Sequence, residues 1–153
     1  MTEAFTIVPA PPKALWALAA IAALLLAVLA LFAFFAYSGR ATQFVVSADG
    51  LAIRRTLYGR TIPWPSLAVA QARVVDLRET SELRPTLRTN GVGLPGYRAG
   101  WFRLRERGRA LLFVTDPSRV VALPTREGYT LLLSVRRPEA FLAAVRTAAL
   151  GAP

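Results

Sequence analysis

Histidine and cysteine are absent from this 153-residue chain, and lysine occurs once, at Lys13. These absences exclude an imidazole base, a thiolate nucleophile, a disulfide framework and the usual zinc ligand set. Ser47, Ser66, Ser118 and Ser134 have no histidine to activate them, and no lysine follows Lys13 to replace one. No catalytic residue, cofactor site or metal site is therefore assigned, and the chain reads as a non-enzyme. Acidic residues are scarce too, 9 against 19 basic ones, which leaves a net charge of +10. A mean hydropathy of +0.41 is nevertheless too high for an ordinary soluble domain. The apolar residues must be concentrated somewhere.

They are concentrated in residues 14–37, ALWALAAIAALLLAVLALFAFFAY, 24 residues without a charge, proline or glycine. A helix of roughly 20 apolar residues crosses a hydrocarbon core about 30 Å thick. Alanine and leucine favour that helix, and it satisfies every backbone group internally. Trp16 and Tyr37 stand near its two ends, where interfacial aromatics belong, and Lys13 and Arg40 bracket it. The run is longer than the about 7–15 apolar residues of a cleaved signal peptide. A helix apolar all round is also more than the rest of a chain this short can cover as a core. The segment is expected to be a transmembrane helix.

Residues 1–13, with Pro9, Pro11 and Pro12, read as an extended and disordered tail. Arg40, Arg54, Arg55 and Arg60 follow the apolar run, so the basic bias lies on its C-terminal side. That bias predicts a single-pass inner-membrane protein with its C-terminal domain, residues 40–153, in the cytoplasm.

In that domain the hydrophobic pattern is short and punctuated. FVVS meets a turn at Asp49-Gly50, then come LAIRRTLY, a turn at Gly59-Arg60, TIPW and, after Pro63 and Pro65, LAVAQARVVDL. Further on, GWFRLR, ALLFVT, RVVALP and YTLLLSV are separated by turns at Arg107-Gly108, Asp116-Pro117-Ser118 and Glu127-Gly128. Asp-Gly between apolar runs is a strong hairpin signal. The spacing predicts about seven strands of an antiparallel sandwich or barrel. Phe102 and Leu104 alternate with Arg103 and Arg105, which gives one buried and one wet face. The last element, PEAFLAAVRTAAL, has Pro138 and Glu139 in its first turn, an apolar stripe at Phe141, Leu142, Val145 and Ala149, and Gly151 after it. It reads as an amphipathic helix packed on the sheet.

The order of these cues resembles that of small membrane-attached bacterial pleckstrin-homology (PH) domains. The likeness is carried by DGL.I…YGR.IPW..L in residues 49–67, by R.NG.GLPGY..GWF.L in residues 88–104, and by G.ALLFVT and YTLLLSV..PEAFL in residues 108–142. The resemblance implies a PH-like fold. That is an N-terminal transmembrane helix, then a mainly-β domain of two near-orthogonal sheets in a partly open barrel, closed by a C-terminal capping helix. It carries fold more than function. Eukaryotic relatives that bind phosphoinositides place several basic residues in and beside the first hairpin. Arg54, Arg55 and Arg60 lie near that region, but the lysine-rich loop is missing, so specific phosphoinositide binding is not carried over.

Two motifs suggest chemistry and fail on context. Gly91, Gly93 and Gly96 match G-x-G-x-x-G, with Asp116 lying 20 residues beyond Gly96. A dinucleotide site needs a strand before the glycines and a helix after them. Here SELRPTLRTN precedes and YRAGWFRLR follows, so the glycines read as a structural loop turning beside the sheet. Asp76, Glu79 and Glu82 have a spacing that suits Ca²⁺ or Mg²⁺, but the interleaved Arg73, Arg78 and Arg84 argue for internal neutralisation.

The arginines remain. Arg54, Arg55 and Arg60 on the first hairpin, and Arg103, Arg105, Arg107 and Arg109 around a later one, are the candidate contacts to anionic lipid head groups. The second group alternates with buried positions and is expected to share a wet face. A bilayer tether makes lipid the nearer polyanion, so no nucleic acid is expected as a partner. Trp64, Trp101 and Phe102 read as core. The chain is thus expected to be a membrane-anchored binding or scaffolding module. The alternative is an accessory subunit that recognises another membrane protein through its anchor or a sheet edge.

Overall fold

The computed structural model describes residues 12–106 and 108–151, so the proposed tail, residues 1–11, lies outside the described residues. The chain divides after Tyr37 into two compact units. The first is built on helix α1, Pro12–Ala41. Pro12 and Lys13, assigned to the tail on sequence, open this helix instead: a proline fits the first helical turn, where its missing N–H has no partner to lose. Within α1 the span Lys13–Tyr37 is long and apolar enough to cross a membrane, and none of it is buried.

The second unit holds nine strands among the described residues. Strands β1 (Gln43–Val46), β2 (Gly50–Arg54) and β3 (Thr61–Pro63) form an antiparallel sheet in chain order. The β1–β2 turn is held at both ends of Ser47, whose N–H and Oγ donate to Gly50 O at 3.0 and 2.8 Å. Trp64 Nε1 donates to the carbonyls of Ser47 and Ala48 at 3.1 and 3.0 Å, so the buried indole also pins this turn.

The larger sheet has the order β4-β8-β9-β7-β6-β5. Its strands are β4 (Arg73–Val75), β5 (Pro85–Leu94), β6 (Tyr97–Leu104), β7 (Arg109–Val114), β8 (Val120–Pro124) and β9 (Tyr129–Leu133). All its ladders are antiparallel except one. Strand β9 inserts between β7 and β8 and runs parallel to β7. The two sheets share no ladder, so the barrel is open.

The central strands read as continuous apolar runs because both faces of the large sheet are covered. On the inner face Leu111, Phe113, Val121, Leu123, Leu131 and Leu133 pack with Leu51, Ile53 and Ile62 of the small sheet. On the outer face Ala110, Leu112, Val120, Ala122 and Leu132 lie under Leu77 and Leu83, from the segment that links β4 to β5 across the sheet. Burying each such leucine contributes roughly 1.5–3 kcal/mol. Helix α2 (Pro138–Leu150) has the expected bounds. It buries Leu142 and Val145 in the inner core, and Phe141 meets Phe44 edge-on at 6.3 Å.

The glycine-rich stretch departs from its expected form. Gly91 and Gly93 lie within β5 and only Gly96 sits in a turn, between β5 and β6. No helix follows the glycines, so the dinucleotide geometry is absent. Strand β5 escaped the sequence pattern because it is an edge strand, exposed at every residue of 86–90 and interrupted by two register shifts. Such a strand has no face to bury and needs no alternation.

Candidate anionic-surface site

The loop from β2 to β3 starts at Arg54 and ends at Arg60, and both are exposed. Its base is closed by Ile53 N–H donating to Arg60 O at 2.8 Å, and its turn by Gly59 N–H donating to Thr56 O at 3.2 Å. Arg55 adopts left-handed backbone, φ 58°. That conformation costs a non-glycine residue roughly 1–2 kcal/mol and tightens the loop. The centre of the loop is Leu57, 71% exposed. Tyr58 ties the loop to the large sheet: its hydroxyl donates to Asn90 Oδ1 at 3.3 Å.

Strand β6 supplies the platform. Trp101 lies half-buried, edge-on against Tyr129 at 5.1 Å. Two guanidinium groups sit on its ring, Arg60 at 5.2 Å and Arg109 at 5.7 Å from the centroid. Each such contact contributes about 0.5–1 kcal/mol at an exposed site. Arg109 is in turn the cross-strand partner of Arg103. Leu87 of β5, 58% exposed, is the partner of Arg103 on the other side. One indole thus joins the first-hairpin arginines to those of the later hairpin.

Arg54, Arg55, Arg60, Arg103 and Arg109 are all exposed, and none makes an ion pair with a described residue. Three carboxylates pair with other arginines. Glu82 pairs with Arg73 at 2.6 Å, Asp76 with Arg78 at 2.8 Å and Glu139 with Arg119 at 2.5 Å. The hydrogen bond from the Arg78 side chain holds the Asp76 carboxyl below the usual carboxylate range, and Arg119 does the same for Glu139. Asp116 is lowered by Ser118, whose hydroxyl and N–H both donate to it. Among the described residues no acidic group forms a metal cluster. The Asp76, Glu79 and Glu82 segment is neutralised by Arg73 and Arg78, as its interleaving implied.

Six of the seven arginines named on sequence, Arg54, Arg55, Arg60, Arg103, Arg105 and Arg109, are exposed. Arg105 lies beyond the end of β6, where its N–H donates to Arg84 O at 3.1 Å, and Arg107 is outside the described residues. Trp16 and Tyr37, expected at the interfaces, are exposed on α1, as is Lys13, and Arg40 falls in the last turn of the same helix. Trp64 and Phe102 are core, but Trp101 is a platform. Its place was legible: the alternation that buries Phe102 and Leu104 puts Trp101 on the same face as Arg103. Leu57 and Leu87 had no signal, since an isolated leucine says nothing of its exposure.

A model of the bacterial PH domain family matches residues 42–149. The chain belongs to this family. The match runs from the residue before β1 into the last turn of α2 and leaves the apolar helix outside it. No curated protein and no solved structure matches the chain. PH domains are generally non-catalytic binding modules, and the resemblance seen in the sequence motifs is thereby a membership. The basic residues of this PH domain lie away from the β1–β2 turn, which carries Ser47, Ala48 and Asp49. Arg54, Arg55 and Arg60 stand at the other end of β2.

Proposed function

We propose that this protein is a single-pass, membrane-anchored and non-catalytic binding module, whose arginine face rests on anionic lipid head groups at the cytoplasmic side of the inner membrane. The observation that carries this reading is the seating of Arg60 and Arg109 on Trp101 with no carboxylate partner among the described residues. A basic side chain near an anionic leaflet contributes on the order of 1 kcal/mol, and the effect fades within about 8 Å at physiological salt. The exposed arginines of the loop and of the β6–β7 ladder add up to a useful hold only if the bilayer is close. A domain that begins at β1, directly after the apolar α1, is kept close by its own chain. The non-catalytic part is supported by the engaged serine hydroxyls: Ser47, Ser118 and Ser134 each donate to a turn, and no histidine stands near any of them.

Hydrogen exchange on the full chain in lipid nanodiscs tests this. Residues 54–60 and 103–109 exchange more slowly in discs containing phosphatidylglycerol than in discs of phosphatidylcholine, and added salt removes the difference. Equal exchange in both lipids refutes the reading.

A second reading, an accessory subunit bound through a sheet edge, is favoured by β5 alone, with its exposed run at residues 86–90. Recovery of one stoichiometric partner from detergent-solubilised membranes, lost when β5 carries Thr89→Pro, supports it.

A further inference from the structure

Among the described residues outside α1, the large apolar side chains that stand exposed are few: Val45, Leu57, Leu87 and Leu150. Two of these four border the arginine platform. Leu57 occupies the centre of the β2–β3 loop, flanked by Arg54 and Arg55 on one side and Arg60 on the other. Leu87 sits across from Arg103 in the β5–β6 ladder. An exposed leucine in water gains nothing from its position. The same leucine, with arginines before and after it in the loop, matches the boundary between head groups and acyl chains, where arginines meet phosphates and an apolar side chain enters the layer below.

The loop is also built to present that residue. Its two ends are bonded together, Tyr58 fastens it to Asn90, and Arg55 holds left-handed backbone two residues before the exposed Leu57. A strained loop that leaves its central leucine unpacked suits a ligand outside the molecule.

We infer that Leu57 inserts into the acyl-chain boundary of an anionic bilayer while the surrounding arginines hold its phosphates, which makes the β2–β3 loop a second, reversible membrane attachment beside the helix. The inference rests on the proposed lipid contact and adds a depth to it. The occupant is the anionic bilayer itself, chosen by charge: the surface has five exposed arginines with no ion pair among the described residues, and an apolar tip, and an acidic protein surface would satisfy only the former.

The absence of cysteine makes the test direct, because any introduced thiol is the sole labelling site. The full chain is reconstituted into vesicles of phosphatidylcholine, with or without phosphatidylglycerol. An environment-sensitive fluorophore is placed at Leu57→Cys, at Thr86→Cys beside Arg103, or at Ala144→Cys on the exposed side of α2. In anionic vesicles the label at 57 shifts to the blue and is quenched by nitroxides on the acyl chains. The label at 86 is quenched only by nitroxides on the head groups, and the label at 144 by neither. If the label at 57 is as wet as that at 144 while 86 still senses head groups, insertion is overturned and the surface contact stands. If 86 is wet as well, both fall. Equal quenching at 57 in the two lipid mixtures overturns the role given to the arginines.

Because that label replaces the leucine, the native residue is also read from its neighbour. Leu57→Asp weakens the contact about tenfold, the loss that follows from leaving one leucine's transfer unmade. It lowers head-group quenching at 86 accordingly. Unchanged quenching overturns the inference even if the labelled cysteine inserts.

Discussion

Gly91 and Gly100 are cross-strand partners in the β5–β6 ladder, and neither position has room for a side chain. A Cβ at Gly91 would lie 2.4 Å from Ala99 O, and one at Gly100 would lie 2.5 Å from Asn90 O and 3.1 Å from the Tyr58 ring. Gly100 also has φ +109°, closed to most other residues. The tyrosine that tethers the arginine loop therefore rests where a side chain is missing, as aromatics do over glycines in sheets.

Gly91→Ala and Gly100→Ala should each destabilise the domain by about 1–3 kcal/mol, seen as a lower midpoint in denaturant. Gly93→Ala should not, because the nearest atom to its added Cβ is Phe102 Cζ at 3.9 Å, an ordinary contact. Gly96→Ala, with open space but φ +74°, should fall between them. The three glycines of the G-x-G-x-x-G string thus separate into three different requirements. An equal loss at Gly91 and Gly93 would contradict the structure.

The arginine platform predicts a split between stability and binding. Arg60→Gln combined with Arg109→Gln should abolish most of the lipid-dependent slowing of exchange at residues 54–60. It should move the melting temperature little, since exposed cation–π contacts contribute about 0.5–1 kcal/mol each. Trp101→Leu should do both, because it removes the platform and the contact with Tyr129 together. A double glutamine variant that binds anionic discs like the parent would remove the platform from the binding face.

Acid sensitivity should begin late. Asp76, Asp116 and Glu139 all have lowered carboxyl pKa values in the folded chain, from hydrogen bonds with Arg78, Ser118 and Arg119 respectively. A group held below its unfolded value stabilises the fold above the ordinary carboxylate range, and that contribution is lost as pH falls through the depressed value. Asp116 and Glu139 are solvent-exposed and Asp76 is half-buried at the surface, so each effect is small. With no histidine, no imidazole titrates between pH 5 and 8. Thermal melts should therefore be flat over that range and fall from about pH 5 downward. Asp76→Asn should shallow the fall, and a steep change near pH 6.5 would contradict it.

Orientation is open to a direct test. Reporters active only in the cytoplasm or only outside it, fused after Pro153, should show the cytoplasmic one active, following the arginines that succeed α1. Activity of the outside reporter alone would reverse the placement of the PH domain.

Much of the fold was legible because burial imposes periodicity. The Asp49-Gly50 hairpin, the apolar runs of β7, β8 and β9 and the proline-led α2 all carry their own punctuation. Strand β5 did not, since an exposed edge strand is free of that demand. The parallel pairing of β7 with β9 was also silent, because local sequence fixes a strand but not which neighbour it takes. Of the site, charge was readable and convergence was not. That Arg60 and Arg109 meet on one indole depends on a loop folding over a sheet some 40 residues away in sequence.

The position of β9 has a consequence for how the domain comes into being. Strand β9 is the last to be synthesised and the one that joins β7 to β8. Before Tyr129 emerges, the large sheet exists only as two fragments, β4 with β8 and β5 with β6 and β7, each with an unmatched apolar edge. The keystone arrives after the arch. A chain truncated before Tyr129 should then show no cooperative melt and should aggregate through those edges, whereas one cut after Leu133 should retain the sheet and lose only the contribution of α2.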